Sequence, residues 1–253
     1  MGREYALLLS KQGYGIAAVD RDARGLEKLG AELGQGSAFV SIIQDLSCDD
    51  AVPHIRKALT AAGVDHIAIL INNAGFIFTT EICCTPPEKL RAMMMVHCVT
   101  PLLLCREFVP GLKAAGRGYV LNISSLCAWM AWPAIGMYGN TKRFVKAYSR
   151  SLRLECRCSG VSVTTAIFGA VDTPLFGFSD RTRRTMRRLG FMITPERAAE
   201  RALRAMFRGR RSIVPGIGNK LLIPLLPLLP DCLISALYRR FGKYLNSGSG
   251  TTS

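Results

Sequence analysis

The chain has 253 residues, 49% hydrophobic and 20% charged, which suits a single globular domain and excludes a disordered or fibrous protein. Its formal net charge of +15 is concentrated toward the C-terminus, but no zinc-finger, RRM or KH signature accompanies it, so we expect no nucleic-acid partner. Nine cysteines and three histidines lack the paired spacing of a zinc site, which predicts reduced thiols, a cytoplasmic location and no metal.

The predicted elements begin with a short helix and a strand. Tyr5, Leu8 and Leu9 share one face of a helix that ends before Gly13, and an apolar strand then ends at Asp20. Further strands are predicted at 37–45, 66–75, 116–125, 161–169 and 211–216, and helices at 51–63, 87–115, 137–159 and 195–208. Because strands and helices alternate, we expect an α/β fold with a doubly wound parallel sheet.

Three regions are expected: an α/β domain over 1–215, an apolar and basic extension over 216–244, and a flexible tail over 245–253. No signal peptide is predicted, because the charged start leads into an amphipathic helix. In the extension, the stretch "LLIPLLPLLPDCLISALY" contains three prolines and an aspartate that break a regular membrane-spanning helix. Two alternatives remain open for this stretch: an apolar flap over a substrate pocket, and a segment that contacts a membrane surface beside the arginines.

Residues suited to catalysis follow the strand that ends at Ser125. Tyr138 and Lys142 come next, four residues apart on one face of a helix. A nearby ammonium lowers the pKa of a phenol, so Tyr138 would become a usable proton donor for a carbonyl whose oxygen Ser125 holds. The alternative is that Tyr138 and Lys142 are ordinary residues on an exposed helix, since their spacing is common.

Four motifs, in order along the chain, closely resemble those of the short-chain dehydrogenase/reductase family: "INNAG" at 71–75, "NISS" at 122–125, "YGNTK" at 138–142 and "FGAVDTP" at 168–174. The resemblance runs from Gly2 to about Arg211 and implies a single Rossmann-like domain. It implies that Ser125, Tyr138 and Lys142 are catalytic and that Lys142 also holds the nicotinamide ribose. The other cofactor contacts that it implies are Asn73, Ala74 and Gly75 at the adenosine side, Asp45 and Leu46 beside the adenine, and Val171 and Thr173 at the nicotinamide carboxamide.

The start of the chain departs from the family's pattern. Members begin with a strand and a T-G-x-x-x-G-x-G loop, whose glycines bring backbone N–H groups to the pyrophosphate at a helix N-terminus. Here only Gly2 stands at the place of the last glycine. We therefore expect an N-terminally incomplete sheet that lacks its central strand, between the strands ending at Asp20 and Asn72, and that binds a dinucleotide weakly.

Two other positions also depart from the family. His97 stands where members usually have an asparagine that completes a proton relay through water. It either takes part in catalysis in that way or is a partly buried helix residue. Phe168 stands where members have a proline, so the loop near the nicotinamide is expected to differ in shape.

Cofactor and substrate class are expected from a few side chains. Asp20 would accept hydrogen bonds from a ribose hydroxyl and repel a 2′-phosphate, whereas Arg21 would pair with that phosphate, so NAD is favoured over NADP. Trp129, Trp132 and the apolar stretch 221–229 suggest a hydrophobic ligand such as a lipid, steroid or acyl chain, with 174–190 as the lid. Core packing explains these apolar residues equally well.

The sequence therefore predicts an NAD(P)-dependent oxidoreductase that interconverts an alcohol and a ketone or aldehyde. We expect a homo-oligomer. The alternative function is a binding or scaffold protein on the same fold, unable to hold the dinucleotide because its phosphate loop is missing.

Overall fold

A computed structural model describes residues 1–34, 36–172, 184 and 192–246. In chain order the helices and strands are α1 (Gly2–Ser10), β1 (Ile16–Asp20), α2 (Ala23–Leu33), β2 (Phe39–Ile43), α3 (Ala51–Ala61), β3 (Ile69–Asn72), α4 (Pro87–Met94), α5 (Thr100–Ala114), β4 (Gly118–Ser125), α6 (Gly136–Glu155), β5 (Val161–Phe168), β6 (Ala170–Val171), β7 (Met192–Ile193), α7 (Pro195–Phe207), β8 (Ser212–Ile213), α8 (Ile217–Leu222) and α9 (Asp231–Asn246). A π-helix, Met95–Val99, joins α4 to α5.

Within the residues that the structure describes, all of the strand pairs are parallel, as the alternation of strands and helices predicts. One sheet has four strands in the order β3-β4-β5-β8, and β1 pairs with β2 in a separate sheet of two strands. The strands β4 and β5 are buried over most of their length, because each has a hydrogen-bonded neighbour on both sides and helices on both faces. The predicted Rossmann-like α/β fold is confirmed.

The two faces of the sheet bury separate apolar clusters. Leu121 of β4 packs in the cluster that includes residues of α1 and α7, whereas its neighbour Val120 packs in the cluster that includes residues of α3 and α5. Successive residues of a strand point to opposite faces, so one strand supplies both cores. The helix α7 begins at Pro195, where the Thr194 hydroxyl accepts a hydrogen bond from the Arg197 N–H at 3.4 Å.

A gap divides the two sheets at the position where the sequence predicts a missing strand. β1 and β3 are not hydrogen-bonded to each other in the described part of the chain. A cavity of about 710 Å³ lies between them and is lined by residues of both strands, including Val19 and Ile71. The half of the fold that contains β1 and β2 is therefore joined to the rest through helices and loops.

The C-terminal extension contains more regular helix than its prolines predict. It forms α8, a 3-10 turn over Leu226–Leu228, and α9, with a bend of 111° between 218–228 and 231–240. Within the described residues, the stretch Pro87–Ala114 is long and apolar enough to cross a membrane, but 56% of its most apolar window is buried inside the protein. The helix α2 has no counterpart among the predicted elements.

Candidate active site

Ser125, Tyr138 and Lys142 lie together at the carboxyl end of β4. Ser125 is the last residue of this strand, and the other two side chains project from the first turns of α6. Each of the three residues is at most 6% exposed. Tyr138 and Lys142 line a cavity of about 250 Å³ together with Phe168 and Val171. The pair is therefore not on an exposed helix face, which was the alternative that the sequence left open.

Burial dominates the electrostatics of Tyr138. It raises the pKa of the phenol above its ordinary value, while a hydrogen bond with Ser125 acts in the opposite direction. The Lys142 ammonium does not lower this pKa, contrary to the expectation from spacing. Its Nζ lies 5.7 Å from the centre of the Tyr138 ring and donates to the Ile123 carbonyl at 3.1 Å.

Lys142 itself is a buried cation. Desolvation lowers its pKa to about 8, so it remains mostly protonated at neutral pH. The hydroxyl of Ser124 donates to the Lys142 carbonyl at 2.7 Å and thereby fastens α6 to the end of β4. Ser124 was not among the predicted site residues, although it stands in the "NISS" motif. The Lys142 side chain is thus fixed by contacts to the same strand that ends at Ser125.

His97 is enclosed by hydrogen bonds. It is 1% exposed, its Nε2 accepts from the Phe76 N–H at 3.0 Å, and its Nδ1 lies 2.8 Å from the Thr141 hydroxyl. Because Nε2 accepts, the ring proton must be on Nδ1, which donates to Thr141. The Thr141 hydroxyl in turn donates to the Tyr138 carbonyl at 2.8 Å. Both ring nitrogens are therefore used within the protein.

The environment of His97 keeps it uncharged. Burial, and secondly the charge of Lys142, lowers its pKa to about 2. A Cβ at Gly75 would lie 2.9 Å from His97 Nε2, so only glycine fits at this point of the loop. The π-helix places the imidazole here. Of the two alternatives for His97, this geometry favours a structural connection over a relay through water.

The predicted adenine-side residues lie at the ends of β1 and β2. The Asp20 carboxylate accepts from the Asp22 N–H at 3.1 Å. Asp45 accepts from the Ser47 N–H and hydroxyl at 2.8 and 2.7 Å, and these bonds lower the pKa of its carboxyl group. Arg21, the candidate partner of a 2′-phosphate, has its Nη1 3.8 Å from Asp45 Oδ2.

The remaining predicted cofactor residues are distributed between the two cavities. Gly2, Leu46 and Ala74 line the larger cavity, Gly75 and Val171 line the smaller one, and Asn73 lines both. The two cavities therefore meet at Asn73. Thr173 and the predicted lid, 174–190, lie outside the described residues, apart from Arg184.

A separate cluster of possible ligand atoms lies on the loop before α4. Glu81, Cys83 and Cys84 have ligand atoms within 4.8 Å of one another, and all three residues are exposed. The Tyr238 hydroxyl of α9 donates to Glu81 at 3.0 Å, which places the C-terminal extension against this loop. The sequence contained the cysteine pair but no sign that Glu81 would contact α9.

Comparisons with known proteins identify the family to which this chain belongs. The model of the family described as short chain dehydrogenase matches residues 1–184. The chain is 31% identical over 185 residues to 17-beta-hydroxysteroid dehydrogenase type 3 of Danio rerio, covering 70% of this chain and 59% of that protein. It is 30% identical over 168 residues to a very-long-chain 3-oxoacyl-CoA reductase of Pyricularia oryzae, covering 64% of this chain and 50% of that protein.

A solved structure also shares the fold. The short-chain dehydrogenase from Sphingobium yanoikuyae in complex with NADPH superposes with a TM-score of 0.74 at 23% identity, covering 100% of this chain and 94% of that chain. The present chain spans only 50–59% of the two curated relatives named above. By its family match over residues 1–184, this chain belongs to the short chain dehydrogenase family.

Proposed function

We propose that the protein is an NAD(P)-dependent oxidoreductase that interconverts a secondary alcohol and a ketone on a hydrophobic substrate. The observation that carries this proposal is that Tyr138 and Lys142 line a cavity of about 250 Å³ at the carboxyl end of β4, where Ser125 is hydrogen-bonded to Tyr138. In an open parallel sheet this edge is where ligands bind.

Each of the three side chains has a separate role in the reduction of a carbonyl. Tyr138 donates a proton to the carbonyl oxygen, and Ser125 donates a hydrogen bond to the same oxygen. Lys142, with its Nζ 5.7 Å from the centre of the Tyr138 ring, holds the nicotinamide ribose next to this carbonyl. When bound, the nicotinamide dinucleotide supplies the hydride for reduction or accepts it for oxidation.

The residues at the carboxyl edge fit a dinucleotide at both of its ends. Asp20 lines the larger cavity, Tyr138 lines the smaller one, and Asn73 lines both. Asp20 would bind the adenosine ribose and Lys142 the nicotinamide ribose. Arg21 lies near Asp45, which reduces its availability to a 2′-phosphate and favours NAD. Between the two ends, Gly2 begins α1 beside Asn73, where a Cβ would approach the Asn73 amide to 3.1 Å.

A hydrophobic substrate is supported by the apolar side chains around the smaller cavity and by the named relatives. Phe168 is 4% exposed and lines this cavity together with Val171. One relative is named for a hydroxysteroid and another for a very-long-chain 3-oxoacyl-CoA. We therefore propose a steroid-like or long acyl ketone as the substrate class.

Two groups of exposed apolar side chains suit contacts with a membrane surface and with a second copy of the chain. On the C-terminal extension, Leu221 and Leu228 are 66% and 74% exposed beside the exposed Lys220, which suits contact with an anionic membrane surface of a cytoplasmic compartment. Exposed Leu102 and Leu103 of α5, together with exposed Phe144 of α6, suit an interface between copies of the chain. Vesicle co-sedimentation and sedimentation velocity, respectively, test these two contacts.

Turnover with a matched pair of tyrosine variants tests the function. The protein is incubated with a steroid ketone or a 3-oxoacyl-CoA and with millimolar NADH or NADPH, and oxidation of the nicotinamide is followed by its absorbance. Tyr138→Phe should lower the rate at least about a hundredfold, because it removes the proton donor. Tyr148→Phe on the same helix should keep the rate. Equal rates in the two variants would overturn the assignment of Tyr138, and no turnover in the natural chain would overturn the function.

A further inference from the structure

The loop between β3 and α4 carries two adjacent cysteines and an acidic residue on one turn. Glu81 precedes the 3-10 turn Ile82–Cys84, and its carbonyl accepts hydrogen bonds from the Cys84 N–H at 3.0 Å and from the Thr85 hydroxyl at 2.8 Å. These two bonds hold Glu81 and Cys84 at opposite ends of a single turn. The side chains of both residues therefore start from backbone positions that are fixed relative to each other.

The sulfur atoms of Cys83 and Cys84 have the spacing of two ligands on one cation. Their Sγ atoms are 3.7 Å apart. Two thiolates bound at about 2.3 Å to a tetrahedral zinc ion have their sulfur atoms about 3.8 Å apart. A hydrogen bond between two thiols has a similar length, so a third group must decide between the two arrangements.

The third group is the Glu81 carboxylate. Its Oε2 lies 4.0 Å from Cys83 Sγ, and the ligand atoms of Glu81, Cys83 and Cys84 all lie within 4.8 Å of one another. A thiolate and a carboxylate oxygen on the same tetrahedral zinc ion are about 3.5 Å apart. All three side chains are exposed, so a small rotation of Glu81 closes the remaining distance without disturbing the core.

A hydrogen bond from α9 orients this carboxylate. The Tyr238 hydroxyl donates to Glu81 Oε1 at 3.0 Å, whereas Oε2 is the oxygen on the side of Cys83. Carboxylates that bind a metal through one oxygen are commonly hydrogen-bonded through their other one. The contact with Tyr238 therefore holds Glu81 in the orientation that a ligand at this turn requires.

The charge of the turn also favours a cation. A hydrogen bond with Cys83, followed by the negative charges of Cys83 and Glu81, raises the pKa of the Cys84 thiol. A divalent cation between the three groups reverses this effect, because it stabilises both thiolates and the carboxylate together.

We propose that Glu81, Cys83 and Cys84 form a binding site for a thiophilic divalent cation of the zinc class, with the fourth position open to water. Two thiolates select such a cation over magnesium and calcium, which prefer oxygen ligands. No metal was expected from the sequence because its cysteines lack paired spacing, and this set of ligands does not use that spacing. None of the three residues lines either cavity, so the site is separate from the candidate active site.

Cadmium titration tests this site without cofactor or substrate, so the result does not depend on the proposed function. The whole chain is kept reduced with a phosphine, and Cd²⁺ is added while the ultraviolet charge-transfer absorbance of cadmium–thiolate bonds is recorded. Cd²⁺ should bind with a dissociation constant in the micromolar range or below, and excess Zn²⁺ should abolish the absorbance because it takes the same ligands.

Variants of the ligands and of single cysteines should separate this site from adventitious thiols. Cys83→Ser and Cys84→Ser should each weaken cadmium binding at least about a hundredfold, and Tyr238→Phe about tenfold, because the loss of a residue that orients a ligand costs less than the loss of the ligand. Cys48→Ser and Cys158→Ser, which remove other exposed cysteines, should keep the affinity of the natural chain.

Circular dichroism of each variant checks that it folds, as expected for exposed positions. Cadmium affinity in folded Cys83→Ser and Cys84→Ser equal to that of the natural chain would overturn the proposal. So would a dissociation constant weaker than millimolar in the natural chain. An unchanged affinity in Tyr238→Phe would overturn the part assigned to α9.

Discussion

The four-stranded half and the two-stranded half of the fold differ in how many of their strands have hydrogen-bonded neighbours on both sides. In the four-stranded half, β4 and β5 have hydrogen-bonded neighbours on both sides, and Val120, Leu121 and Val163 are at most 1% exposed. In the two-stranded half, β1 has a partner on one side and a cavity of about 710 Å³ on the other. The candidate catalytic residues belong to the first half and the predicted adenine contacts to the second.

The candidate catalytic residues and the predicted cofactor contacts therefore depend on different parts of the fold. The arrangement of Ser125, Tyr138 and Lys142 depends on β4 and α6, whose contacts are complete. The positions of Asp20 and Asp45 depend on a pair of strands that a gap divides from the rest of the sheet. A site for reduction can therefore be well formed while the dinucleotide that it needs is held weakly.

Amide exchange should give the largest difference between the halves. The Ile16, Ala18 and Asp20 amides of β1 should exchange at least about a hundredfold faster than those of Val120 and Val163, because the two-stranded half can open without unfolding the four-stranded one. Hydrogen exchange followed by NMR measures this residue by residue. Equal protection of both groups would show that the gap does not divide the fold energetically.

The pH dependence of the free energy of unfolding tests whether His97 is buried and uncharged in the folded chain. Its pKa of about 2 in the folded chain lies below the ordinary value of 6.5, so between these values the unfolded chain binds a proton that the folded chain does not. Stability from this residue is fully present above pH 6.5. It should fall by about 1.4 kcal/mol for each pH unit below that value.

The variant His97→Gln should remove this part of the pH dependence. Urea unfolding between pH 4 and 8 measures the free energy of unfolding at each pH. The control is His66→Gln at an exposed position, which should leave the change of stability with pH as it is in the natural chain. If His97→Gln and the natural chain lose stability in parallel as the pH falls, the buried neutral imidazole is not the cause.

The smallest expected effect concerns Asp20, which is exposed at the edge of the two-stranded half. Asp20→Ala should shift the ratio of NADPH to NADH affinity toward NADPH by about two- to fivefold, the range expected when an exposed charge is removed. Asp22→Ala, two residues away, is the matched control. An unchanged ratio in Asp20→Ala would exclude this carboxylate as the selector.

Much of the fold could be predicted from the sequence, because apolar strands and amphipathic helices leave a local pattern. The strands β4 and β5 and the position of the gap follow from such patterns and from the family motifs. The course of the extension could not be predicted, since its prolines indicate breaks but not that α9 places Tyr238 against Glu81.

The sequence predicts that Tyr138 and Lys142 lie on one face of a helix, but it does not predict the electrostatics around them. The spacing of Tyr138 and Lys142 places both on one face of α6, as expected. That the Lys142 ammonium points to the Ile123 carbonyl and that burial raises the Tyr138 pKa depend on tertiary packing. The hydrogen bonds of His97 to Thr141 and to the Phe76 N–H join segments distant in the chain, so no local pattern reveals them.

Calorimetric titration of NADH tests the central claim that cofactor affinity depends on the gap. The titration compares residues 1–253 with the same chain carrying a five-residue apolar strand and a glycine-rich loop joined ahead of Met1. We expect a dissociation constant of roughly millimolar or weaker for the first protein and binding at least about tenfold tighter for the second, since a helix N-terminus and a complete sheet then hold the pyrophosphate. Micromolar binding of NADH to both proteins with equal affinity would contradict it.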